Sequence, residues 1–97
     1  MNALLSQEEW ETLTRLHGAG RRGIDAVGGR YPSAGELDVV RALRDADPPL
    51  ARELFRHDET LQTIVYYVAI TEAGERFYEK NRRMYNIFYP PAQGLKS

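Results

Sequence analysis

Residues 66–78, YYVAITEAGERFY, form the joint around which the rest of the chain is organised. The β-branched and aromatic residues of segment 64–70 predict a strand. Thr71 follows at once, and its hydroxyl can cap a helix whose first turn favours acidic side chains. The stretch therefore predicts a strand that leads directly into a helix over residues 72–88, which ends before Pro90.

Two shorter segments upstream predict a hairpin that ends in this strand. Residues 50–56 alternate in the way expected of a strand, and residues 62–70 return as its partner. The polar residues 57–60 form the predicted turn. The tip of the hairpin is therefore expected around Arg56 and His57.

A helix is predicted before the hairpin, from Ala34 to Asp47. Ser33 and Glu36 have the spacing of a capping box, and the prolines at 48–49 stop the helix. Its predicted inward arc contains Val39, Val40, Ala42, Leu43 and Ala46. The opposite side contains Leu37, Arg41 and Arg44, with Asp38 and Asp45 at its edge.

The N-terminal third predicts one helix and a glycine-rich segment. Ser6 and Glu9 form a capping box, and the helix that follows buries Trp10 and ends at Gly18. In the glycine-rich region after it, residues 22–27 can form one or two helical turns.

Composition bounds the function. The 97 residues are 42% hydrophobic and 28% charged, which suits one globular domain, here residues 1–91, with a flexible tail over 92–97.

There are no cysteines and only two histidines. We therefore expect no metal site, no cofactor and no catalytic residue. No ligand pocket is evident, and without a membrane span or signal segment the cytoplasm is the expected compartment.

Segment 70–75, ITEAGE, resembles the joint between the wing and the last helix in winged helix-turn-helix regulators of the multiple-antibiotic-resistance (MarR-like) and PadR-like families. The resemblance implies an α+β, mostly α fold with a two-stranded hairpin wing and a long C-terminal helix. It also implies a small dimeric transcriptional regulator. Helix 33–47 would read the major groove of double-stranded DNA, and wing 50–70 would contact the backbone or minor groove.

Under this resemblance, the residues implied in DNA binding come from the loop, the helix and the wing. They are Arg21, Arg22, Arg30, Ser33, Ala34, Leu37, Arg41, Arg44, Arg52, Arg56 and His57. Arginine supplies 11 of the 13 cations, but the net charge of the chain is only -1. Any positive surface must therefore be local.

The last helix is apolar and aromatic over more of its circumference than one small core requires. This width predicts a homodimer or protein contact through Phe77, Tyr78, Met84, Tyr85, Phe88 and Tyr89. The alternative is that Leu4, Leu5 and Trp10 fold back over the helix. A second function also stays open, because the acidic balance favours a winged-helix module that binds protein and does not bind DNA.

Overall fold

The computed structural model describes residues 4–25 and 34–90, which form three helices and a three-stranded antiparallel sheet. The helices are α1 (Gln7–Ala19), α2 (Ala34–Arg44) and α3 (Glu72–Phe88). The strands are β1 (Ile24–Asp25), β2 (Ala51–Asp58) and β3 (Thr63–Ile70), in the order β1-β3-β2. The predicted α+β, mostly α class is confirmed. Arg30, Ser33 and the predicted tail lie outside the described residues.

Helix α1 begins at the predicted capping box. The Ser6 hydroxyl accepts from the backbone N–H of Glu9 at 3.1 Å, and the Glu9 carboxylate accepts from the N–H of Ser6 at 2.9 Å. The helix runs one residue beyond the predicted end, and Gly20 then caps it with a φ of 75°. That left-handed conformation is one that glycine adopts without strain.

The helical turns predicted around Ile24 are wrong, because Ile24 and Asp25 form β1 and pair with Val68 and Tyr67 of β3. The preceding Gly23 has a φ of 90°, which breaks any helix at this point. A Cβ on Gly23 would also lie 2.6 Å from the carbonyl oxygen of Val68. Glycine therefore lets this short strand approach the sheet.

Helix α2 ends at Arg44, three residues earlier than predicted. Asp47 precedes a proline and is disfavoured in the helical region, so the chain leaves the helix before it reaches Pro48. The carbonyl oxygen of Leu43 then accepts from the N–H of Leu50 at 2.9 Å. Ala42 was expected inside but is exposed, whereas Leu43 beside it is buried.

The hairpin is longer than predicted, and its tip comprises residues 59–62. His57 still belongs to the paired strands, opposite Ile64. Gln62 has a φ of 55°, and the Asp58 carboxylate accepts from the N–H of Leu61 at 2.9 Å. The tip therefore lies beyond Arg56 and His57, the two residues at which the sequence predicts it.

The joint at Thr71 is confirmed as the N-cap of α3. Its hydroxyl accepts from the N–H of Gly74 at 2.9 Å and donates to the carbonyl of Pro49 at 2.6 Å. Its own N–H donates to the carbonyl of Leu50 at 3.2 Å. One residue thus ends β3, starts α3 and attaches both to the start of β2.

The core lies where α1, the inner end of the hairpin, α2 and α3 meet. Its buried side chains are Trp10, Leu13, Leu16, Val40, Leu43, Leu50, Ala51, Val68, Ile70 and Tyr85. The outer half of the hairpin projects beyond this core, and this leaves apolar side chains exposed there.

Candidate functional site

The exposed stripe of α2 carries more negative than positive charge. Asp38, Arg41, Ala42 and Asp45 follow one another at helical spacing, and all four are exposed. Leu37, which was also expected on the outer side, is half-buried. The surface predicted to enter a major groove therefore presents two carboxylates and one guanidinium.

Arg44 was expected to contact DNA, but it is engaged within the chain. Its Nη1 donates to the carboxylate of Glu53 on β2 at 2.6 Å, and its Nε donates to Asp45 at 2.9 Å. The Tyr66 hydroxyl of β3 donates to the other oxygen of Glu53 at 2.7 Å. This network ties the end of α2 to the hairpin and neutralises the guanidinium.

The network changes the proton affinities of its members. Hydrogen bonds to Asp45 and then to Glu53 raise the pKa of Arg44, and the bond from Arg44 lowers the pKa of Asp45. The bonds from Tyr66 and then Arg44 hold the pKa of Glu53 below its ordinary value. All three groups are therefore charged near neutral pH.

The lowered pKa of Glu53 predicts a loss of stability in acid. Its folded pKa lies below the unfolded one, so the ionised carboxylate stabilises the fold above the unfolded pKa. That contribution disappears as the pH falls through the folded pKa. We expect Glu53→Gln to make the free energy of unfolding less dependent on pH below about pH 5, as measured by urea unfolding.

Tyr66→Phe, which removes only the hydroxyl donor to Glu53, should have a smaller effect in the same direction. If Glu53→Gln retains the wild-type pH dependence, this carboxylate does not contribute to the acid sensitivity.

The loop cations are only partly available. The Arg21 Nη2 donates to Glu75 of α3 at 2.8 Å, and this contact raises the pKa of Arg21 and lowers that of Glu75. Arg22 beside it is exposed. Of these two neighbouring arginines, Arg21 is therefore bound to a carboxylate within the chain.

The wing cations lie on the face of the hairpin opposite Glu53. Successive residues of a strand point to alternate faces, so Arg52 and Arg56 share one face, and Glu53 and His57 share the other. The Arg56 guanidinium lies 4.6 Å from the centre of the Tyr67 ring. Because Glu53 faces α2, the residues predicted to bind DNA are divided between two faces of the hairpin.

The tyrosines of α3 are covered by α1 and the segment before it. The Trp10 ring stacks on Tyr78 at 4.7 Å and on Tyr85 at 4.4 Å between ring centres. The Tyr85 hydroxyl accepts from the N–H of Leu5, and the Tyr89 hydroxyl donates to the carbonyl of Leu5, both at 2.9 Å. The fold-back alternative therefore describes these three tyrosines, and Tyr85 is core.

Three apolar side chains at the end of α3 remain exposed, and we call them the α3 patch. They are Met84, Ile87 and Phe88, and the last two are 76% and 52% exposed. Their spacing puts them on one face of the helix. Of the predicted dimer residues, Met84 and Phe88 therefore stay accessible, and Ile87 joins them.

A second group of exposed apolar side chains, which we call the wing patch, was not predicted from the sequence. It consists of Phe55, Leu61 and Ile64 on the outer hairpin, with Phe55 68% and Ile64 58% exposed. Phe55 and Ile64 lie on the same face, and the Phe55 ring lies 5.5 Å from that of Tyr66. The sequence did contain a signal for this patch. Phe55 on β2 and Ile64 on β3 are apolar residues that lie too far from the joint at Thr71 to reach the core.

A groove of about 540 Å³ runs along α3, although no pocket was evident in the sequence. Leu50 and Phe77 contribute to its apolar lining, and Arg76 and Lys80 are its charged lining residues. Met84 also lines it, so the groove continues the α3 patch along the helix.

Over residues 4–25 and 34–90, no group of three or more acidic or histidine side chains is arranged to hold a metal ion. No helix in those two ranges has the length and apolar character needed to cross a bilayer. Comparisons with protein-family models, curated proteins and solved structures find no match for this chain.

Proposed function

We propose that this chain acts as a protein-binding module built on a winged-helix-like arrangement, and that it assembles through its wing and α3 patches. The observation that carries the proposal is the distribution of exposed apolar side chains. In the described ranges, six of the seven large ones lie in these two patches, and the seventh, Leu4, lines the groove that reaches Met84.

The chemistry of the patches supports this proposal. Scattered apolar residues on a protein surface need no explanation, but contiguous ones with charged neighbours are typical of protein interfaces. Phenylalanine, methionine and isoleucine contribute apolar area to such a surface, and water solvates this area poorly. The patches leave that area unburied in the single chain.

The charges of α2 also favour a protein-binding function, because they disfavour contact with DNA. Asp38 and Asp45 flank Arg41 on the exposed stripe, so a phosphate that approaches Arg41 meets the carboxylate of Asp38 and, in the Arg44–Asp45 pair, no net positive charge. Arg44 adds no free positive charge because Glu53 and Asp45 hold it. The affinity of most DNA-binding proteins depends largely on phosphate contacts, which this stripe disfavours.

DNA binding by a dimeric regulator is the second candidate, and one observation favours it. Arg41, Arg52 and Arg56 are exposed, and none of them forms an ion pair with another described residue. The helix that carries Arg41 is followed by an antiparallel hairpin, as in a winged helix. Under this proposal α2 enters the major groove and the wing contacts the backbone, in the cytoplasm.

A DNA retardation assay at several salt concentrations tests the two candidates. A protein-binding module should give no retardation at about 0.15 M salt, where phosphate contacts are strongly weakened. The double variant Asp38→Asn/Asp45→Asn should then gain weak, salt-sensitive binding, which would demonstrate that the assay detects such contacts.

Retardation of DNA by the wild type at that salt concentration would overturn the first proposal. Under DNA binding, Arg41→Ala should weaken specific binding by about 1–3 kcal/mol, and Arg56→Ala should weaken binding to all sequences alike. Arg41→Lys keeps the charge but loses the bidentate geometry, so it separates base recognition from phosphate contact.

A further inference from the structure

The wing patch and the α3 patch have neighbours of opposite charge. Glu59 is exposed in the hairpin tip two residues before Leu61, and neither arginine of the hairpin shares the face of Phe55 and Ile64. Lys80 and Arg83 each lie one turn before a member of the α3 patch, Met84 and Ile87, and no carboxylate follows Glu79 in that helix. The wing patch is therefore apolar with an acidic edge, and the α3 patch is apolar with a basic edge.

The hairpin also carries a cation near the tip, but it belongs to the other face. Arg56 alternates with Phe55 and His57, and its guanidinium lies over the Tyr67 ring. Arg56 therefore lies away from Phe55 and Ile64, as does Asp58, which the same alternation places on the face of Arg56.

Pairing either patch with its own copy brings like charges together. When a patch lies on the two-fold axis of a dimer, it faces its own copy. Around Ile87 such a contact opposes Lys80 and Arg83 to their own copies, and at the wing patch it opposes Glu59 to its copy. Like-charge juxtaposition at an interface is strongly unfavourable. Contact between the two different patches pairs the basic edge with the acidic one.

We propose that the partner is a second copy of this chain, whose α3 patch packs against the wing patch of the first. This inference rests on the proposed protein-binding function and names its partner. When each copy contributes both patches, the contact is made twice about a two-fold axis and closes a dimer. Phe55 and Ile64 of one copy then lie against Ile87 and Phe88 of the other.

The test uses one substitution in each patch and a mixture of the two variants. Ile64→Asp disables the wing patch, and Ile87→Asp disables the α3 patch. Both side chains are more than half exposed in the single chain, so neither change disturbs the core. Sedimentation equilibrium measures the mass against the 11.1 kDa of one chain, and circular dichroism verifies that both variants are folded.

The wild type should exceed the monomer mass as its concentration rises, and each variant alone should be monomeric. An equimolar mixture should assemble again, as one-to-one pairs, because the intact α3 patch of the Ile64→Asp chain meets the intact wing patch of the Ile87→Asp chain. Arg83→Glu should weaken wild-type assembly by about tenfold or more, and adding Glu59→Lys should restore part of the loss.

Different results identify which statement fails. If Ile64→Asp alone assembles as the wild type does, or if the mixture stays monomeric, the pairing of wing with α3 is overturned, and a protein-binding function still stands. A wild type that is monomeric at about millimolar concentration, a weak-affinity range, also overturns the pairing. The proposed function itself falls if that monomer retards DNA.

Discussion

Gly74→Ala should lower the free energy of unfolding by about 3 kcal/mol, near the upper end of the usual cost of overpacking. Gly74 is buried in the first turn of α3, which crosses the backbone at the start of β2. An added Cβ would collide with the carbonyl oxygen of Leu50 and would lie 2.8 Å from Cγ1 of Ile70. The Leu50 carbonyl also accepts from Thr71, so it cannot move without breaking the joint.

Urea unfolding of wild type and variant measures this effect. Gly18→Ala is the matched control, because Gly18 also lies in a helix but has nothing within 4 Å of the position of a Cβ. Alanine is favoured over glycine in a helix by about 1 kcal/mol, so the control should be neutral or stabilising. If Gly74→Ala is as stable as the control, α3 does not pack this closely on Leu50.

Trp10→Ala should cost about 3–5 kcal/mol, the range for replacing a buried large aromatic side chain. The indole is 3% exposed and stacks on two tyrosines of α3, Tyr78 and Tyr85. Its removal leaves a cavity and uncovers both rings. The marginal stability of a domain of this size makes extensive unfolding at 37 °C an expected outcome.

Thermal and urea unfolding, followed by far-ultraviolet circular dichroism, measure the loss. Phe88→Ala, compared at a protein concentration at which both chains are monomeric, is the control, because it removes a similar ring that is 52% exposed at the end of α3. Exposed substitutions usually change stability by less than about 0.5 kcal/mol. Equal losses for the two variants would mean that Trp10 does not anchor α1 on α3.

The parts of the fold that depend on near neighbours in sequence were predicted well. The capping box of α1 and the N-cap of α3 each join groups three residues apart, so their signals are local. The two long strands and the class of the fold follow from side-chain periodicity in the same way. The end of α2 was missed by three residues, since a proline limits a helix without specifying where it ends.

The candidate site was predicted less well, because charge state depends on contacts across the chain. Arg44 is neutralised by Glu53, nine residues later and on another element, and Arg21 by Glu75 at a separation of 54 residues. A helical wheel treats each as a free cation. Strand alternation predicts that Arg52 and Glu53 lie on opposite faces of the hairpin. It does not predict which of the two faces meets α2.

The amino-acid sequence by itself determined the order of the three helices and the two long strands and the joint at Thr71, through hydrogen bonds and periodicities that span a few residues. Only the tertiary structure decided which apolar side chains are covered. Tyr85 is buried by Trp10, whereas Ile87, two residues further along the same helix, is exposed. Both are apolar positions of one helix, and α1 covers only one side of it. Burial is a property of the packed neighbours, so it required the fold.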